Sequence, residues 1–107
     1  MISDSQVDKA IKYMAGTDEQ YGMLKGQKLG LEHRMKGEKA LQFLKAEGSS
    51  AAEREAKAID SESYRKMVEE YENTCIDLEV IGAKRKRAEL TIEVWRTCAA
   101  NQRRGNI

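Results

Sequence analysis

Between Tyr64 and Ala99 the apolar residues Tyr64, Met67, Val68, Tyr71, Cys75, Leu78, Ile81, Ala88, Ile92, Trp95 and Ala99 recur at steps that keep them on one side of an α-helix. The chain has no proline, and from Ser61 to Ala100 nothing stops a helix, Gly82 being merely costly. Forty helical residues span about 60 Å. A compact globule of this chain length has a radius of gyration of only about 13 Å. So long a helix cannot be folded inside such a globule. The pattern predicts an all-α, elongated antiparallel helical hairpin with a coiled-coil-like seam, short segments packing at its ends.

The rest of the chain divides accordingly. Ser3 or Ser5 suits an N-cap, and Val7, Ala10, Ile11 and Met14 mark one face of a short helix over 3–15. Gly16 reads as its C-cap, and Thr17 with Gln20 as a capping box opening a long helix over 18–47. The seam of that helix is sparse at Tyr21, Leu24, Leu31 and Met35, and thickens at Leu41, Phe43 and Leu44. Gly48-Ser49-Ser50 is the clearest break: Gly48 suits a left-handed C-cap, and Ser50 with Glu53 repeats the capping-box spacing. A short helix over 51–59 follows, with Ala52, Ala56 and Ile59 on one face. From Ile59 to Tyr64 the apolar face turns by about 140°, which places a kink within Asp60-Ser61-Glu62-Ser63. The second long helix runs over 61–100, and 101–107 reads as a frayed tail.

At 107 residues one domain, 1–107, is expected. Charged residues make up 35% of the chain and aromatics 6%, which speaks against a sandwich or barrel and against a membrane span. Cys75 and Cys98 lie about 35 Å apart on one helix, far beyond disulfide reach, and read as reduced. With no secretory leader after Met1-Ile2-Ser3-Asp4, the expectation is an intracellular, cytoplasmic setting.

The formal charge of +1 conceals a strong asymmetry. Residues 1–46 carry eight basic and six acidic side chains, 47–79 four and ten, and 80–107 seven and two. An acidic middle and a basic end point to charged partners, a second copy of the chain among them. Lys84-Arg85-Lys86-Arg87 is the sharpest local signal, extended by Arg96, Arg103 and Arg104. Arg85, Arg96 and Arg103 return to within about 20° of one line beside the apolar seam. Two readings stand. The stripe tracks nucleic-acid phosphates with Trp95 stacking a base, or it pairs with the acidic middle of a neighbouring subunit while Trp95 is core.

Gly22, Gly26 and Gly30 recur at four-residue steps, either for close helix–helix packing or as a weak, flexible stretch. They lack the spacing of a phosphate loop. His33 is the only histidine and reads as an ordinary surface residue. The acidic run Glu69, Glu70, Glu72, Asp77 and Glu79 reads as a solvated or partner-facing surface. No catalytic set, metal site, cofactor or small-molecule substrate is indicated, so the chain is expected to be no enzyme. A two-helix hairpin leaves much of its apolar stripe uncovered, so a homo-oligomer is expected.

The stretch Ile92-Glu-Val-Trp95-Arg96-Thr-Cys-Ala-Ala-Asn101-Gln-Arg103, with the turn Gly48-Ser-Ser-Ala-Ala-Glu-Arg54-Glu-Ala before it, resembles small helical proteins of temperate phages. These are encoded near recombination genes, such as those for single-strand annealing proteins and exonucleases. The resemblance covers residues 20–107 and brings no catalytic residues. It implies an intracellular accessory role in phage DNA recombination or replication. Contact with single-stranded DNA, or with the proteins that coat it, would fall to Lys84, Arg85, Lys86, Arg87, Trp95, Arg96, Arg103 and Arg104. The alternative is an adaptor or inhibitor that acts on a host or phage protein through the acidic middle.

Overall fold

The computed structural model describes residues 1–105, and they form three α-helices: α1 (Asp4–Lys45), α2 (Ala51–Ile59) and α3 (Glu62–Arg103). Among the described residues there is no strand. The all-α fold expected from the stripe is the fold observed. Each terminus is explained locally. At the start of α1 the Ser3 hydroxyl accepts the Gln6 N–H at 3.1 Å, and the Gln6 side chain accepts the Ser3 N–H at 2.8 Å, a capping box. At α2 the Ser50 hydroxyl accepts the Glu53 N–H at 3.1 Å. The Glu53 carboxylate reaches back one residue further than expected, to the Ser49 N–H at 3.1 Å and the Ser49 hydroxyl at 3.2 Å. The expected break after Ile59 is present, with Asp60 as C-cap of α2.

Contacts gather into two units, residues 1–22 with Leu78 onward, and residues 23–77. In the first, the start of α1 lies antiparallel to the end of α3. Val7, Ala10, Ile81 and Ala88 are buried, flanked by half-buried Met14, Ile92, Trp95 and Ala99. A side chain at Gly82 would meet the Tyr21 ring at 3.8 Å, so Gly82 is the glycine that faces a neighbouring helix.

In the second unit the end of α1 lies antiparallel to the start of α3, with α2 between them in the chain. Leu31 is 2% exposed, and Leu24, Ala58 and Thr74 are also buried. Polar bonds tie the pair: Tyr71 donates to Glu32 Oε1 at 2.9 Å, and Ser63 to Glu38 Oε1 at 2.6 Å. The helix α2 is held by the Lys39–Glu55 ion pair (3.0 Å), by Lys57 donating to the Glu47 carbonyl, and by Arg54 stacked 5.2 Å over the Phe43 ring.

Five expectations need correction. First, no break separates 3–15 from 18–47. Thr17 does not cap a new helix; its hydroxyl bonds back to the Tyr13 carbonyl at 2.7 Å, inside a continuous turn, and Gly16 is simply an exposed helical residue. Second, Gly48 is not left-handed, since positive φ among the described residues occurs only at Gly105. The absence of a side chain at Gly48 instead admits Glu53, whose Cδ would lie 3.1 Å from a Cβ there. Third, α2 buries Ala58 and half-buries Arg54, while Ala52, Ala56 and Ile59 are exposed. Its face is set by a cation lying on Phe43, a contact no apolar pattern encodes. Fourth, Leu41 and Leu44 do not thicken the core, being exposed. Fifth, 101–103 are helical; of the expected tail, 106 and 107 lie outside the described residues.

Candidate anion-binding cleft

The basic run Lys84-Arg85-Lys86-Arg87 sits in the middle of α3, so its four side chains point in four directions at 100° per residue. Arg85 points inward. Its side chain is 13% exposed: Nη1 donates to the Met14 carbonyl (3.0 Å) and the Thr17 hydroxyl (2.8 Å), and Nη2 meets Asp18 Oδ1 at 2.7 Å. The guanidinium plane also lies 4.7 Å from the centre of the Tyr21 ring. Three of its donor hydrogens and one ring face are thus engaged within the chain. Arg85 is therefore a fold-holding residue, and its expected place in a phosphate stripe is withdrawn. The partner is not a neighbouring subunit either, but Asp18 of the same chain.

Trp95 is half-buried, and its indole N–H donates to Asp4 Oδ1 at 3.1 Å. This ties the first turn of α1 to α3 and leaves the ring as part of the packed seam, so the base-stacking role is withdrawn as well. Gly22 and Gly26 are exposed, and nothing lies within 4 Å of a side chain built at either. At Gly30 the near atoms are those of Arg34, one turn along the same helix, at 3.1 Å. The glycine stripe thus meets no helix within the chain, and the expected close packing is corrected.

The remaining cations, Lys84, Lys86, Arg87, Arg96, Arg103 and Arg104, are exposed, and none is in an ion pair among the described residues. Two of them converge. Lys84 and Arg87 sit at the edge of a cleft of about 430 Å³ in the first unit, floored by Ile2, Ala10, Tyr13 and Ala88. From the other helix Lys9 joins the rim, with Gln6 and Thr91 as neutral hydrogen-bonding groups. No carboxylate lines this cleft. That distinguishes it from the cleft of about 400 Å³ in the second unit, where Glu32 stands among Lys36, Lys39, Tyr64 and Tyr71. Sequence reasoning missed Lys9, because an isolated lysine on an amphipathic helix carries no signal until its neighbour across the cleft is known.

Electrostatics elsewhere serve structure. The hydrogen bond from Tyr71 to Glu32, with Cys75 beside it, pushes the Tyr71 phenol up to about 12. Hydrogen bonds from Ser63 and Gln42 hold Glu38 below the usual carboxylate range, and the Ser49 N–H and hydroxyl do the same for Glu53, helped by Lys57. His33 and the run Glu69, Glu70, Glu72, Asp77 and Glu79 are exposed. Among the described residues no three His, Cys, Asp or Glu side chains are grouped to hold a metal ion, and no helix is long and apolar enough to cross a membrane. No protein family, curated protein or solved structure matches the chain.

Proposed function

We propose that this chain is a non-enzymatic accessory protein of phage DNA recombination or replication, acting in the cytoplasm, that holds single-stranded DNA, or the proteins that coat it, on exposed cations of the basic C-terminal third of the chain. One observation supports this reading above the rest: Lys84 and Arg87 of α3 and Lys9 of α1 meet over an apolar-floored cleft with no carboxylate in its lining. Fixed cations without local counter-charges are what a phosphate chain displaces its counterions to reach. Tyr13 on the floor, and not Trp95, is the aromatic face open to a base. Lys86, Arg96, Arg103 and Arg104 supply further exposed charge to a bound strand.

The second reading, an adaptor or inhibitor of another protein, gains support from Arg85 and Trp95, because part of the basic end is engaged in folding the chain itself. Titration of a labelled oligothymidine by fluorescence anisotropy separates the two. Nucleic-acid binding is expected at about 50 mM salt, to fall steeply by about 200 mM, and to be equal for unrelated sequences. An absence of binding at low salt would leave the adaptor reading in its place.

A further inference from the structure

The core-facing stripe of α3 leaves a second pattern on its outer side. Val80, Ala83, Arg87, Leu90 and Val94 follow one another at steps of three, four, three and four residues, and all five are exposed. The large members are 49%, 51% and 48% exposed at Val80, Leu90 and Val94. They centre about 120° round the helix from Ala88, the buried residue that faces α1. This is the heptad spacing of a coiled-coil seam, with Val80, Arg87 and Val94 at a positions and Ala83 and Leu90 at d. Scattered surface apolar residues need no partner; four at the a and d positions of one heptad series, with the stem of Arg87 completing it, do.

We infer that this seam binds the same seam of a second copy, with the two α3 helices antiparallel. The charges that flank it choose both partner and direction. The g positions are Glu79, Lys86 and Glu93, alternating in sign, and the e position Lys84 is basic. In a parallel pair the two Arg87 side chains would face each other in the seam, a like-charge contact in its middle. In an antiparallel pair a positions face d positions. Arg87 then lies over the partner copy's leucine at position 90, and Ala83 opposite the valine at position 94. In that register each Lys86 meets the other copy's glutamate at position 93, so the g flank carries two opposite-charge pairs, while the e flank sets Lys84 beside the neutral threonine at position 91. The stem of Arg87 covers the leucine while its guanidinium stays at the seam edge, as long basic side chains do. At about 120° from the α1-facing line the second helix sits outside the cleft, which leaves Lys9 and Lys84 open, and with them the Arg87 guanidinium on the cleft side of the seam edge.

The test is sedimentation equilibrium of the full chain, under reducing conditions, from about 1 to about 100 µM. The parent chain should be a dimer at the upper end. Leu90→Glu, which changes no core-facing residue, should keep its helicity by circular dichroism and become a monomer. Lys86→Glu should weaken the dimer about tenfold, and adding Glu93→Lys should restore it. A parent chain that stays monomeric, or a dimer indifferent to Leu90→Glu, overturns the seam. Failure of Glu93→Lys to rescue Lys86→Glu overturns the antiparallel register.

Discussion

Arg85 shows how far a single residue's surroundings decide its role. In sequence it is one of four adjacent cations; in the fold it is the one whose guanidinium is engaged by Met14, Thr17, Asp18 and Tyr21. Asp18 is largely exposed, so solvent screens the ion pair, and the weight falls on the bonds to Met14 and Thr17 and on the stacked ring. Arg85→Met should cost about 2 kcal/mol in urea unfolding, and Arg85→Lys nearly as much, because lysine lacks the planar fork. A loss within error of zero would mean these contacts are not formed in solution. The α2 cap is the second residue-scale case. Ser50→Ala should cost about 1 kcal/mol. Glu53 ionises below its ordinary value of 4.5 in the folded chain, so its contribution is present above that value and is lost as pH falls through the lowered folded one. Thermal unfolding followed from pH 7 to about 3 should therefore show a shallower acid limb in Glu53→Gln than in the parent.

Among elements, the long helices were legible and their punctuation was not. All eleven residues of the α3 stripe are buried or half-buried, because a stripe that long has no other way to leave water. The N-caps at Ser3 and Ser50 were readable from residue type, but the Gln6 partner of Ser3 and the reach of Glu53 back to Ser49 were not. The break expected at Gly16 failed because one glycine and one threonine lack the strength to end a helix whose neighbours on both sides pack against the same partner. The glycines show what spacing leaves open. Gly22, Gly26 and Gly30 form a regular series yet touch no other helix, while Gly82, read in sequence only as a cost to the helix, faces the Tyr21 ring. Gly22→Ala and Gly26→Ala should therefore each stabilise the chain by about 0.5–1 kcal/mol, since helical propensity is gained with nothing to clash. Differential scanning calorimetry on the two variants checks this. A lowered melting temperature in either would show that a partner does pack on the stripe.

For the whole molecule, a formal charge of +1 says little, and the functional reading rests on where the uncompensated cations lie. The candidate site was half legible: the run 84–87 announced Lys84 and Arg87, but sequence order could not tell them from Arg85, nor bring Lys9 across from the other helix. Trp95 was misread because an aromatic beside arginines fits a base-stacking site and a packed seam equally well; only its bond to Asp4 separates them. The most direct measurement is the salt dependence of single-stranded DNA binding for the parent, for the triple variant Lys9→Gln, Lys84→Gln, Arg87→Gln, and for Leu90→Glu as a monomeric control. Each single-strand phosphate contact contributes about 0.7 to the slope of log K against log salt. With three contacts removed, the slope should shallow by about 2, with helicity unchanged and affinity lowered alike for unrelated sequences. A triple variant whose slope equals the parent's would contradict the assignment of the cleft.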